Sequence, residues 1–258
     1  MLNGNASRQF ALVVEYDGSE FFGFQRQSVR RTVQSEIEEA LYRITQDRVR
    51  IAAAGRTDTG VHALGQVVSF ASGTRLDPAD LLRALNAVLP ADVAVSRCVE
   101  VGDGFHARFS ARGREYTYVI LNRRWPSPVC RQRAYHVAWP LDDGAMEAGC
   151  RELVGTHDFA AFSGGGRREK TVRTVQQASC RRSGERVEIA IAADAFLPHM
   201  VRNIVGTLVW LGTGKVDLPA FVRIIRTGKR SLAGPTAPPQ GLYLTRVNYG
   251  NEWQGVIG

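Results

Sequence analysis

No apolar stretch in this chain is long enough to cross a bilayer. The longest, around Ile204 to Leu211, is interrupted by Gly206 and Thr207. The first residues, MLNGNASRQ, are polar and lack the apolar core of a secretory signal. Cysteine is scarce. Cys98, Cys130, Cys150 and Cys180 lie 20 to 32 residues apart, with no CxxC pair and no zinc spacing. Nor do the five histidines, at positions 62, 106, 136, 157 and 199, share a ligand spacing. These gaps predict a cytoplasmic protein with four reduced thiols, no membrane span and no metal. Two catalytic motifs are also missing. Gly214-Lys215 does not complete a P-loop, because Val209 and Val216 stand where Gly and Ser or Thr are needed. Ser163 does not complete a nucleophile elbow, because Ala161 takes the first glycine position.

Basic charge is abundant. The 258 residues carry 33 Lys and Arg against 25 Asp and Glu, a net charge of +8, and only three of the basic residues are lysine. The excess is uneven. Residues 1–105 hold 11 basic and 13 acidic residues, net −2, whereas residues 106–258 hold 22 and 12, net +10. Within the second half, 106–133 has seven arginines against Glu115 alone, and 167–186 has seven Lys or Arg against Glu169 and Glu185. Such clusters fit a polyanion, nucleic acid first among them, although a merely soluble basic surface would read the same way. A hydrophobic share of 44% and a charged share of 22% are those of an ordinary globular chain, long enough for one large domain or two small ones.

Periodicity predicts a strand over Phe10–Tyr16, ended by Asp17-Gly18. A helix capped by Thr32 follows, then strands over Val49–Ala54 and Gln66–Phe70. A helix opened by Asp77-Pro78 and a strand over Val93–Val101 complete the half. The second half reads as a strand over Glu115–Leu121, a helix over Asp142–Val154 and a hairpin turning at Ser183-Gly184. Helices over Met200–Leu211 and Leu218–Thr227 and a strand over Tyr243–Asn248 close it. Both halves follow the order β-α-β-β-α-β, the second with one extra helix, so the expected class is α+β. It would consist of two ferredoxin-like halves, 1–105 and 106–258, with mostly antiparallel sheets packed into one body and a cleft between them.

The unusual segment is residues 51–70, IAAAGRTDTGVHALGQVVSF. Glycines 55 and 60 flank Arg56-Thr57-Asp58-Thr59, placing a cation and an anion two residues apart where the backbone can approach a ligand. Read alone, this is either a reactive loop or a solvated surface turn. FFGF at Phe21–Phe24 is either core or an aromatic stacking element that lacks the full RNA-binding pattern.

The wider string GRTDTGVHA, Gly55 to Ala63, resembles the catalytic loop of the tRNA pseudouridine synthase A (TruA) family. EYDGSEFFGFQRQ with TVQSEIEEAL, FHARFSARGREYTYVI, FLPHMVRNIVGTL and AGPTAPPQGLYL resemble the family's other blocks, in order and over nearly the whole chain. The resemblance implies isomerisation of uridine to pseudouridine at positions 38, 39 and 40 of the tRNA anticodon stem-loop. The base would be flipped out, no cofactor used, and the enzyme a homodimer.

It also implies residue roles. Asp58 would be the nucleophile, attacking the ribose C1′ or the base C6, or helping to remove the 2′ hydrogen. Arg202 matches the arginine that pairs with that aspartate, and Tyr116 the tyrosine that meets the uracil as a stacking surface or as acceptor of the C5 proton. Arg56 matches the residue that helps extrude the base, and His62 has no assigned role. For phosphate contacts the expected residues are Arg26, Arg30, Arg31, Arg167, Arg168 and Lys170. Two other readings are a non-catalytic RNA-binding protein and an acylphosphatase-like hydrolase. The first gives Asp58 no use, since a carboxylate facing phosphates repels them. The second leaves the basic clusters without a purpose.

Overall fold

A computed structural model describes residues 7–164 and 170–257. In chain order its elements are β1 (Arg8–Tyr16), α1 (Val33–Thr45), β2 (Ala52–Ala53), β3 (His62–Ser72), α2 (Pro78–Val88) and β4 (Val93–Val101). Then come β5 (Ala111–Asn122), β6 (Tyr135–Val137), α3 (Asp143–Leu153), β7 (Gly155–Asp158), β8 (Val172–Ser183) and β9 (Arg186–Ala193). The chain continues through α4 (Met200–Gly212), α5 (Leu218–Thr227), β10 (Leu242–Tyr249) and α6 (Asn251–Ile257). The class is α+β. Two compact units divide it: Met1–Arg112 with Leu244–Gly258, and Gly113–Tyr243.

In the first unit the strand order is β4-β1-β3-β10, and β2 also pairs with β3. Strand β1 runs antiparallel to both β3 and β4, with Phe10 opposite Phe70 and their rings stacked at 5.6 Å. Helix α1 starts where Thr32 caps it. Ser35 N–H donates to Thr32 Oγ1, and Ser35 Oγ accepts from Thr32 N–H, a reciprocal box that satisfies two end donors. Its buried stripe is Val33, Ile37, Ala40 and Leu41. Asp77 caps α2 through Asp80 N–H, with Pro78 in the first turn, where its missing N–H costs no hydrogen bond.

The closing strand β10 and helix α6, which the sequence order counts with the second half, group with this first unit. A Cβ on Gly65 of β3 would sit 2.6 Å from Thr245 O, so only glycine permits the approach. Tyr249 Oη donates to Ala107 O at 2.8 Å, and Phe105 lies 5.2 Å from both the Tyr249 and Trp253 rings. The expected strand over Val49–Ala54 shrinks to Ala52–Ala53, paired with Val68 and Ser69 towards the end of β3.

The second unit carries the order β5-β9-β8-β7, antiparallel throughout, with β6 added parallel to β5. Strands β6 and β7 have no counterpart in the sequence reading. They span three and four residues, too short for an alternation to show. Helix α4 is buried on nearly every side, as its almost uninterrupted apolar sequence requires.

Candidate active site

The loop between β2 and β3 is fixed from below. Thr57 is buried, and its Oγ1 lies 2.8 Å from Tyr16 Oη at the end of β1. Thr57 O accepts from Phe24 N–H at 3.1 Å, and Gly60 N–H donates to Phe21 O at 3.4 Å. Gly55 O accepts from Gln66 Nε2 at 2.8 Å. Asp58 O accepts from Val61 N–H at 3.1 Å, which closes a turn with Gly60 at φ +77°, the third turn position where glycine is favoured. Asp58 is partly exposed, between the buried Thr57 and the exposed Thr59. The backbone of its neighbours is thus held while Asp58 itself keeps partial exposure.

Two glycines outside the loop make this seating possible. Gly23 has φ +83°, and a Cβ there would meet Thr57 O at 2.9 Å. A Cβ on Gly18 would lie 2.0 Å from Val61 O, closer than any real contact. Gly18 N–H also donates to Nδ1 of the buried His62 at 3.0 Å, and that nitrogen is 3.1 Å from Asp17 Oδ1. Nδ1 can accept from Gly18 when it carries no hydrogen or donate to Asp17 when it carries one, but not both at once. His62 therefore supports the loop. The Asp17-Gly18 and FFGF segments, which look like a strand end and a core run in sequence, form the loop's bed.

Burial pushes the Tyr16 phenol up to about 12, against the smaller opposing effect of its bonds to Thr57 and Gln66. It is protonated at any physiological pH.

The expected basic contacts of this unit are not alike. Arg56, Arg26 and Arg30 are exposed. Arg26 donates to Oε2 of the buried Glu38 at 2.7 Å, and Glu38 Oε1 accepts from Gln34 Nε2 and Ile51 N–H. Arg31 is bidentate to Asp92, at 2.6 and 2.8 Å, bonds Glu36 at 2.9 Å and covers the Phe21 ring. Its hydrogen bond to Asp92, above all, holds its pKa higher than that of an ordinary arginine. A guanidinium so occupied grips phosphate only by releasing Asp92.

In the second unit, Tyr116 on β5 is 8% exposed and meets the Phe196 ring edge-on at 4.9 Å. Tyr118, two residues on, is fully buried, and its Oη donates to Pro238 O at 2.7 Å. Arg202 lies in the first turn of α4. Its Nε donates to Ala237 O at 2.8 Å, and its own carbonyl accepts from Ala237 N–H at 3.0 Å. Ala237-Pro238 therefore joins β5 to Arg202.

A polar network missed by the sequence reading holds that segment. Arg230 donates to Gly234 O, Asn203 Oδ1 and Thr236 Oγ1. Thr236 Oγ1 donates to Asn203 Oδ1 at 2.6 Å, and Gly234 N–H donates to Thr207 Oγ1 at 2.9 Å. Asn203 Nδ2 closes onto Phe162 O at 2.8 Å. A Cβ on Gly206 would stand 1.7 Å from Pro235 O. The blocks HMVRNIVGT and AGPTAPP are thus one piece of structure, and the clue in sequence was their recurrence among the matched segments.

Arg167 and Arg168 lie outside the described residues; Lys170 is exposed. Among the described residues, no group of three or more His, Cys, Asp or Glu is placed to hold a metal, and no helix is long and apolar enough to cross a membrane.

A protein of this kind, α+β with a partly exposed aspartate on a loop anchored by buried bonds and with an arginine-rich surface, has the features of an enzyme that modifies nucleic acid. Comparison with known proteins makes this specific. The family model described as tRNA pseudouridine synthase matches residues 12–110 and 150–250. Relatives called tRNA pseudouridine synthase A include one from Thermoanaerobacter sp. (strain X514), 42% identical across 94% of this chain and 100% of the relative. Another, from Roseiflexus sp. (strain RS-1), is 46% identical across 96% of this chain and 93% of the relative. A third, from Acetivibrio thermocellus, is 43% identical across 94% and 100%. The chain belongs to the tRNA pseudouridine synthase family. It is an isomerase that acts on tRNA uridine.

Proposed function

We propose that the uridines isomerised are those at positions 38, 39 and 40 of the anticodon stem-loop, and that Asp58 is the nucleophile acting on a base turned out of the helix. The positions follow the family resemblance, and the observation that carries the role of Asp58 is the loop itself. Buried bonds through Thr57 and glycine-dependent contacts at Gly18, Gly23 and Gly60 hold the loop that carries the partly exposed Asp58. Such pre-positioning is what a group attacking a reluctant carbon needs. It also speaks against a non-catalytic RNA-binding protein, which gains nothing from a fixed anion beside phosphates.

The reaction balances without a redox partner. The C1′–N1 bond breaks, the uracil turns, C1′ bonds to C5, and the C5 proton leaves while N1 gains one. Asp58 begins it at C1′, at C6, or through the 2′ hydrogen. Tyr116 meets the uracil as a stacking surface or, after giving its own hydroxyl proton to N1, as acceptor of the C5 proton. Arg202 contributes a cation, and Arg56 fills the space the base leaves. Arg26, Arg30, Arg167, Arg168 and Lys170 grip phosphates, and Arg31 anchors the turn that carries Arg30. The enzyme works in the cytoplasm as a homodimer, with no cofactor, and divides its labour between residues 1–105, which carry the loop, and the basic residues 106–258.

The test is incubation with unmodified tRNA transcripts followed by chemical mapping of pseudouridine at each position. Product confined to 38–40 supports the reading. Product only elsewhere in the tRNA overturns the assignment of site. Sedimentation at micromolar concentration, giving one chain or two, decides the dimer.

A further inference from the structure

Two adjacent arginines cover two adjacent phenylalanines on the turn beside the Asp58 loop, and they are in opposite states. Arg31 lies over Phe21, 4.2 Å from the ring centre, with its charge matched by Asp92 and Glu36 and the ring buried. Arg30 lies over Phe22 at 4.4 Å, but Phe22 is 41% exposed and Arg30 is exposed as well. Among the described residues, no carboxylate pairs with Arg30. The first pair is a structural anchor, while the second repeats its geometry with the charge uncompensated and an aromatic surface in water.

The outward ring is not a loose one. Phe22 N–H donates to Arg31 O at 2.9 Å, and Phe22 O accepts from Gln27 Nε2 at 2.8 Å. On either side, Phe21 O accepts from Gly60 N–H and Gly23 lies against Thr57 and Thr59. The ring therefore stands at a fixed place relative to the Asp58 loop. Phe21 and Phe24, its neighbours in the FFGF run, are buried. Phe22 alone of the three is turned outward, at the expense of the burial a phenylalanine side chain ordinarily gains.

We propose that Phe22 and Arg30 form a stacking platform for a nucleobase next to the uridine being isomerised, with the Arg30 guanidinium also meeting that nucleotide's phosphate. This rests on the reading of Asp58 as the site of reaction. A base turned out of a stem leaves its neighbours without a stacking partner. An aromatic ring accepts any base on its face, and an unpaired guanidinium adds stacking and charge. The platform thereby positions substrate without reading its sequence. Phe22 is in this sense a positioning residue.

The test uses an anticodon stem-loop RNA with 2-aminopurine replacing a base that flanks the target uridine, with wild type and the variants Phe22→Leu, Phe22→Tyr and Arg30→Gln. Leucine keeps apolar bulk and loses the ring, while tyrosine keeps the ring. The platform predicts quenching of 2-aminopurine on binding to wild type and Phe22→Tyr and little quenching with Phe22→Leu. It also predicts a KM for the stem-loop raised about 5- to 150-fold in Phe22→Leu, with more of the loss in KM than in kcat. Arg30→Gln should flatten the slope of log affinity against log salt by about 0.7. A Phe22→Leu enzyme that melts, quenches and binds like wild type overturns the platform. A Phe22→Leu enzyme that fails to fold overturns it too, because it makes the ring a structural residue. Both results leave Asp58 untouched. Conversely, an active Asp58→Asn enzyme would sink the nucleophile reading while the quenching still reports whether Phe22 stacks.

Discussion

Tyr16 and Thr57 share a buried hydrogen bond, 2.8 Å between their hydroxyl oxygens, that ties the last residue of β1 to the residue before Asp58. The strand arrives there through a register shift between Val14 and Tyr16, which re-aims the tyrosine as a bulge does. One buried phenol thus connects the sheet to the reactive loop.

Tyr16→Phe should therefore destabilise the protein by about 1–3 kcal/mol, because Thr57 Oγ1 loses its partner. It should also remove part of the alkaline instability. The phenol's pKa is higher in the folded state, about 12 against 10.0, so its contribution is complete below pH 10 and is lost as pH rises towards 12. Denaturant melts at pH 9 and pH 11 check this. The fall in stability between them should be smaller in Tyr16→Phe than in wild type.

Gly18→Ala and Gly206→Ala should damage the two supports separately. Their new Cβ atoms would lie 2.0 Å from Val61 O and 1.7 Å from Pro235 O, both backbone atoms that cannot swing away. Overpacking of this kind costs about 1–3 kcal/mol and sometimes more. Thermal melts should show both losses, whereas Gly184→Ala, with no atom near its Cβ, should lose only the smaller amount due to its φ of +59°.

The four cysteines are free thiols. Burial pushes Cys98 and Cys180 up to about 12 and raises Cys150 further. Only Cys130 is partly exposed. A thiol reagent at pH 8 should modify one cysteine quickly and the other three only on unfolding, which mass spectrometry of digested protein can count.

Tyr116→Phe separates proton transfer from stacking. If the phenol oxygen takes the C5 proton, single-turnover conversion at saturating enzyme should fall by about 10² to 10⁴. Retention of the wild-type rate would leave the ring as a stacking surface only. The edge-on contact with Phe196 survives the substitution, but a buried hydroxyl is removed, so a thermal melt must first exclude a folding loss of about 1–3 kcal/mol.

Much of the fold is legible in the sequence because its signals are local. Thr32, Asp77, Asp142 and Asp217 each cap the helix that follows, and Gly228 ends α5 at φ +64°. Short elements escape such reading. GTHD forms β7 only because Val172–Val175 lies beside it, and α6 follows a strand the sequence gives no reason to extend. The reactive loop is conspicuous through its glycines, but its bed is not. Nothing local joins Gly18 to Val61 or Arg230 to Asn203, 43 and 27 residues apart, and only folding reveals those contacts. Arg31 marks the limit for charge. It reads as another phosphate contact until Asp92, 61 residues away, closes on it.

Asp58 is the residue on which the proposed chemistry depends most directly. Asp58→Asn keeps the size of the side chain and removes its charge, so the loop should still fold on Tyr16 and tRNA should still bind. The measurement is single-turnover pseudouridine formation on an unmodified tRNA transcript at saturating enzyme, alongside tRNA affinity and the thermal melt. The expected result is a folded protein, near wild-type affinity and no detectable pseudouridine. Substantial conversion by Asp58→Asn would contradict the account.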